Sequence, residues 1–285
     1  MSAPADKPVD PAAGVSSLLG ARCARTWLVA ATPQEAAAAV AIACDPVVRA
    51  VLDQSGAPAL AVRDLRAEKA ALARGRLLGC DVSATGPYLC PAAMRGADVV
   101  TDDLSSLGLA SPSAPLCALS LSRDAVGTPA ADAAAAFAAS HPAPEDAVRA
   151  VGRALQDFPV RCRRRADIAS ALASYLACHP DVSSAAYPGL RDDPSHGTAE
   201  RVLEHGFGFS VAFVPVPSPA AVLAASKALE PAGSQDGPAA PHASTTLLPL
   251  PKTGVPRALL LAAGDEDPLA LVMWLERLLD PMGEF

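Results

Sequence analysis

The sequence predicts an α/β protein with a mostly parallel sheet, followed by a second, smaller α/β domain. Three observations carry this. A strand-type run, a helical stretch and a second strand-type run follow one another between residues 47 and 82, the spacing of a βαβ unit. Two more β-rich runs follow before residue 123. Beyond an Ala- and Pro-rich connection, long helical segments alternate with further strand-type runs up to a closing helix.

The elements come in this order. The start, MSAPADKPVDPAAG, is Pro-rich with no apolar core, so residues 1–14 are expected to be a disordered tail rather than a signal peptide. VVRAVLD (47–53) is β-branched and of strand type. After the turn-rich QSGAP, a helix begins near Asp64 as N-cap, with Leu65 and Leu72 on its apolar face and Gly75 as its stop. RLLGCDV (76–82) is the next strand, expected parallel to the first, and helix-like PAAMRG leads to the strands ADVVT (97–101) and PLCALSLS (115–122). Residues 123–146 read as a connection plus a helix between two halves, and 147–178 as helical. Within ADIASALASYLACH, Ile168, Leu172, Tyr175 and Leu176 fall on one core-facing stripe. VSSAAYPGL and FGFSVAFVPV (207–216) are strands of the second domain, 233–245 is a loop, and DPLALVMWLERLLD is a helix capped by Asp267 with Pro268 in its first turn. The domain division expected is 1–14 tail, 15–145 large domain, 146–285 small domain.

Composition excludes several classes. A net charge of −7 argues against nucleic-acid binding, and half the chain is apolar, which excludes global disorder. No apolar run is long enough to span a bilayer. Seven scattered cysteines without a CxxC pair fit reduced thiols in a cytoplasm, with neither a disulfide framework nor a zinc site.

Several motifs then carry a resemblance. HPDVSSAAYPGL (179–190) follows a helix as HPxV and YPGL do in the Cys/Met-metabolism pyridoxal phosphate (PLP) enzymes, the cystathionine γ-synthase, cystathionine γ-lyase and methionine γ-lyase group. RALQDFPVRCRRRADIASALA (153–173) resembles the family's RGLxTLxLRMxRHxxNA, and GFGFSVAFVP and GDEDPLALV resemble its glycine-containing strand and its closing GLEDxxDLI. Upstream, LDQSGAPALAVRDL (52–65) resembles ExPxNPxLxVxDI, and CDVSATGPYL with GADVV (80–100) resembles VDNTFATPYL with GADIV. The resemblance implies a fold-type-I PLP-transferase-like architecture: a large domain on a mixed, mostly parallel sheet, here incomplete at its front, plus a small C-terminal α/β domain. It also implies sites at a subunit interface.

The resemblance also exposes substitutions. The family's GADIV runs into HSATKY, whose Lys forms the Schiff base with PLP; counted without a gap from Asp98, that position holds Ser105. The phosphate-binding Ser and Thr fall on Asp102 and Leu104. A hydroxyl cannot replace the amine of a Schiff base. The only lysines are Lys7, Lys69, Lys227 and Lys252. Asp81 matches the partner of the PLP pyridine nitrogen, the one cofactor-binding residue retained. The family's Asn falls on Ala57, its Glu on Asp53, and its substrate-carboxylate Arg on Leu260, with Arg257 only under a shifted register. PAGSQDG (231–237) and HASTTL (242–247) correspond loosely to SLGGxES and PASTTH. Nothing before residue 47 resembles the family's Tyr-x-Arg segment, its Ser-Gly-Met loop or its stacking Tyr, and 16–31 is read as a remnant strand and helix.

Bland readings stand beside these. Asp81 is also a loop carboxylate without a ligand, and Asp102 with Asp103 is a solvated turn rather than a metal pair. Ser105 lacks a nominated base among His141, His179, His196, His205 and His242. His179 is a structural turn residue, RCRRR (161–165) a solvated helix face or subunit contact, and Tyr187 and Gly189 packing and turn residues. Cys90 and Cys178 are apolar fillers. Two functions are expected to compete: a non-catalytic, cytoplasmic family member, in a homo- or hetero-oligomer with a PLP-family homologue and with no catalytic residue and no cofactor; or a PLP-dependent C–S lyase or γ-replacement transferase of sulfur amino-acid metabolism with residual or altered activity.

Overall fold

The structure, a computed structural model, describes residues 10–18, 20–53, 57–109, 114–228, 245–250 and 256–279. The expected loop at 233–245 therefore lies outside the described residues up to 244, as does PAGSQDG. The chain forms two compact units. One comprises residues 1–46 and 65–159, the other 47–64 and 160–285.

The first unit contains α1 (Pro11–Leu18), β1 (Cys23–Val29), α2 (Pro33–Ala39) and β2 (Cys44–Pro46). Residues 47–64, which form β3 (Val48–Leu52) and β4 (Pro58–Val62), leave it, and the chain returns with α3 (Leu65–Ala71) and β5 (Gly79–Asp81). α4 (Gly86–Leu89), β6 (Val99–Asp103), β7 (Cys117–Ser122), α5 (Pro129–Ser140) and α6 (Glu145–Ala154) complete it. Its five-stranded sheet has the order β1-β7-β6-β5-β2; β2, β5 and β6 are parallel, and β7 is antiparallel to both β6 and β1. Val29, Val99, Leu119 and Leu121 fill one core with Ala36, Val40 and Ala134 of the covering helices. Gly79 is required where β5 meets β2, because a Cβ there would stand 2.3 Å from the carbonyl oxygen of Ala43. α2 is held by a capping box that the sequence TPQE encodes: the Thr32 hydroxyl accepts from the Glu35 amide (3.3 Å) and the Glu35 carboxylate from the Thr32 amide (2.8 Å).

The second unit is built on a four-stranded antiparallel sheet, β10-β11-β9-β8. Its strands are β8 (Val182–Ala186), β9 (Ser210–Pro215), β10 (Thr246–Leu250) and β11 (Ala258–Ala262). Its helices are α7 (Phe158–Cys178), which starts at the boundary, α8 (His196–Val202), α9 (Pro219–Ala228) and α10 (Pro268–Leu279). Ile168, Leu172 and Leu176 of α7 pack with Val211, Phe213, Leu259, Leu261 and the Leu271–Trp274–Leu278 face of α10, and Tyr175 lies at the rim. Asp267 caps α10 as expected, accepting from the amides of Leu269 (3.0 Å) and Ala270 (3.1 Å).

The structure corrects several expectations. VVRAVLD is not the parallel partner of the next strand: as β3 it pairs antiparallel with β4 in a hairpin that packs with β8 and β9, and the short β2 takes the parallel place beside β5. The units are accordingly discontinuous, and their second boundary falls at 159/160 rather than 145/146. Residues 11–14 are helical rather than tail, because Val15 of α1 is fully buried. RCRRR is not wholly solvated. Arg161 and Arg165, one helical turn apart, face inward while Arg163 and Arg164 are exposed. Arg165 donates through Nε to the carbonyl of Ala263 (3.0 Å) and stacks over Phe209. Cys178 is exposed, not a filler; Cys90 is buried, and none of the seven cysteines forms a disulfide.

Asp98 ties the first unit together. It is 1 % exposed, and its carboxylate accepts from the Lys69 ammonium, the Leu78 amide (2.7 Å) and the Ser122 hydroxyl (3.2 Å). Asp98→Ala is expected to cost on the order of 3 kcal/mol in urea denaturation, since it strands a buried amide and hydroxyl.

Candidate functional site

Asp81 is the last residue of β5, at the carboxyl ends of the parallel strands where sites of open α/β sheets gather. Its carboxylate is nearly buried and accepts from both the amide (2.9 Å) and the hydroxyl of Ser83. The same Ser83 hydroxyl accepts from the amide of Asp103 (2.8 Å), so Ser83 joins the ends of β5 and β6. Burial raises the Asp81 carboxyl above the ordinary range, opposed by the two Ser83 bonds.

β6 extends to Asp103, further than ADVVT, and the two acids are strand residues rather than a solvated turn. Asp102 is 1 % exposed, and neither of its carboxylate oxygens has a hydrogen-bond partner. The neighbouring Thr101 hydroxyl is likewise buried without one. Burial pushes the Asp102 carboxyl well above its usual value, and the nearby Asp81 and Asp103 push it further. Burial also raises the thiol of Cys117, which stands opposite Asp103 across the β6–β7 ladder. Asp103 is different: its Oδ1 accepts from the amides of Ser105 (3.0 Å) and Ser106 (3.4 Å) and pins the following turn.

That turn is built on leucines. Leu104, Leu107 and Leu109 are buried, with Leu104 fully so. The backbone closes through Leu109 N to Leu104 O (2.9 Å) and Gly108 N to Ser105 O (3.1 Å), with Gly108 at a φ of 68°. Ser105 is left at the half-buried rim, its hydroxyl donating to the carbonyl of Ala114 (3.4 Å). No described histidine bonds to it; His141 lies against Phe137, His196 stacks on Phe207, and His179 accepts the Asp181 amide on Nδ1 beside Glu276. His242 lies outside the described residues.

The structure thus brings Asp81, Asp102, Asp103 and Ser105 together with Ser83, Thr101 and Cys117. Ser83 was legible as an Asp-x-Ser turn, but no local signal marked Thr101. The other expected positions do not join them. Lys69 is committed to Asp98 at the opposite end of β6, roughly 16 Å along the strand from Asp103 at about 3.3 Å per residue. Asp53 and Ala57 close the β3–β4 hairpin, the Ala57 amide donating to the Asp53 carboxylate (2.9 Å). Leu260 pairs with Ala212 and Leu248 inside the second sheet, and the Arg257 amide donates to Leu250 at the start of that ladder. Among the described residues, no three His, Cys, Asp or Glu could hold a metal ion, and no helix is long and apolar enough to cross a membrane.

The family model for Cys/Met metabolism PLP-dependent enzymes matches residues 22–227. The chain belongs to this family. A 67-residue stretch is 43% identical to a protein named cystathionine gamma-synthase in Mycobacterium tuberculosis, covering 24% of this chain and 17% of that one. A 59-residue stretch is 39% identical to the homocysteine synthase of Schizosaccharomyces pombe, covering 21% and 14%. The matched stretches thus span less than a fifth of these relatives. Among solved structures, apo CalE6, a methionine gamma lyase from Micromonospora echinospora, superposes with a TM-score of 0.72 at 20% identity over 93% of this chain and 83% of that one. A cystathionine gamma-lyase from Lactobacillus plantarum gives 0.70 at 18%, over 93% and 83%. At these identities the likeness establishes the fold, an α/β architecture with a mixed, mostly parallel sheet as in this family of PLP enzymes.

The unpaired Asp102 makes a prediction about pH. Its folded pKa is raised, so in the window above the ordinary aspartate value of about 4 the folded state holds a proton that the unfolded state has lost. Stability therefore falls as pH rises through that window, and Asp81 contributes with the same sign. Asp102→Asn is expected to flatten this slope and to be more stable than the parent at neutral pH, read from urea midpoints between pH 4 and 8.

Proposed function

We propose that this chain is a non-catalytic member of the PLP family, a partner or scaffold subunit for an active homologue in the cytoplasm. The observation that carries this reading is the buried, unpaired carboxyl of Asp102 where the resemblance places a phosphate-binding serine. PLP brings a phosphate dianion and an aldehyde that must meet an amine. The residues present do not fit it. The carboxyl end of β6 offers acids: an ionised carboxylate some 4 Å from a phosphate charge costs about 1–4 kcal/mol at effective dielectrics between those of water and a protein surface, and Asp102 escapes that cost only while it holds a proton. Leu104, at the phosphate-binding threonine position, is fully buried and apolar. Ser105 supplies no amine, and Lys69, at the opposite end of β6, is held by Asp98. Asp81 alone suits a pyridinium: both Ser83 bonds fall on its Oδ1, which leaves Oδ2 for such a partner.

A second reading, a PLP-dependent lyase or transferase of sulfur amino-acid metabolism with altered activity, is favoured by the retention of Asp81 and by family membership. Spectroscopy separates the two. Purified with added PLP and dialysed, the chain is expected to keep no visible cofactor band; a band that survives dialysis and bleaches with borohydride contradicts the proposal. Ser105→Lys alone is expected to remain cofactor-free, because Asp102 and Leu104 still occupy the phosphate positions. The partner role is tested by co-purification with a full-length homologue and assay with and without this chain. Association with a changed activity is the expected result, and absence of both sinks the partner role.

A further inference from the structure

A groove of about 640 Å³ opens on the first unit between α1 and β1, lined by Ser16, Ser17, Cys23, Arg25, Thr26 and Arg123 among others. Its electrostatics run against the rest of the molecule. The chain carries a net charge of −7, yet two guanidiniums face this groove without a carboxylate partner among the described residues. Arg22 next door is neutralised by Asp124 at 2.8 Å; Arg25 and Arg123 are not. Asp10 also lines the groove, but its Oδ1 accepts from its own helix at the amide of Ala12 (3.1 Å). The Arg25 guanidinium lies 5.7 Å from the centre of the Trp27 ring, which orients its fork.

Hydroxyls complete the lining. The Ser16 hydroxyl donates to the Cys23 thiol (3.0 Å), and the Thr26 hydroxyl shares a hydrogen bond with the buried Ser120 (2.8 Å), so both are held in place. Ser17 is exposed beside them. We propose that this groove binds a small phosphorylated metabolite, its phosphate oxygens held by Arg25 and Arg123 and by the exposed Ser17 hydroxyl. Two planar forks and the Ser17 hydroxyl offer more donors than the two oxygens of a carboxylate need, and they match the three oxygens and double charge of a phosphate monoester. The volume lies within the range of small-molecule sites. The site involves none of the residues at the ends of β5 and β6 and stands whether or not the chain is catalytic.

Cys23 supplies a local reporter, with exposed Cys178 as internal reference. The full chain is alkylated with iodoacetamide, and both cysteines are followed by site-resolved mass spectrometry against rising pyrophosphate, succinate, and sodium chloride at matched ionic strength. Pyrophosphate is expected to slow Cys23 saturably and to leave Cys178 unchanged, with succinate and chloride much weaker. Arg25→Gln and Arg123→Gln are each expected to raise the half-effective concentration about tenfold, as loss of one charge-assisted contact does, while Arg22→Gln does not. Calorimetric titration of the same variants, checked as folded by circular dichroism, gives a reading independent of Cys23 reactivity. Equal slowing of both cysteines, equal protection by succinate, no saturation, or protection that survives Arg25→Gln with Arg123→Gln overturns the proposal.

Discussion

Two buried aspartates stand near the two ends of β6, and they are treated in opposite ways. Asp98, just before the strand, has its carboxylate filled by a lysine, an amide and a serine hydroxyl, and draws α3, β5 and β7 onto the strand it precedes. Asp102, four residues on, is equally buried and has no donor at all. Ionising a carboxyl in such a place is costly, so burial favours its protonated form. The well-made end of the strand sustains the ill-made one. A sheet anchored by Asp98 can carry an unfavourable residue at its far edge, the edge where chemistry resides in open α/β folds.

The rest of that edge is organised around closure rather than binding. Ser83 uses its hydroxyl twice, to satisfy Asp81 and to receive the Asp103 amide. Asp103 spends its carboxylate on the amides of the next turn, and that turn drives three leucines inward. Asp102 and Thr101 are the buried exceptions to this closure among the described residues of that edge. This is how a sheet end looks when it holds itself together, and it gives the proposed loss of cofactor chemistry a physical form. Lys69 belongs to the same logic: its charge stabilises Asp98 at the wrong end of the strand for any reaction at Ser105.

Much of this was legible in the sequence, and the failures are instructive. GADVV identified the strand and the ancestry, and the stripe of Ile168, Leu172 and Leu176 identified the core face of α7. VVRAVLD misled because a β-branched run reports extended backbone and half-burial, not the direction of its partner. Asp53 and Ala57 bond to one another, and PALAV runs back as β4 against β3, which takes the run out of the parallel sheet. RCRRR looked solvated because composition was weighed before period; at 3.6 residues per turn, Arg161 and Arg165 share a face that Arg163 and Arg164 do not. The burial of Asp102 had only a faint signal, an apolar run continuing into acids, which a strand covered on both faces permits.

The account rests on a neutral Asp102 carboxyl at physiological pH, in a site that does not accept PLP. Carbon-13 NMR of aspartate-labelled protein at neutral pH, with the Asp102 signal assigned by its loss in Asp102→Asn, tests this directly. A carboxyl resonance at the position of the protonated acid, unmoved by stoichiometric PLP, is the predicted result. An ionised Asp102, or a resonance that shifts as PLP is added, would contradict it.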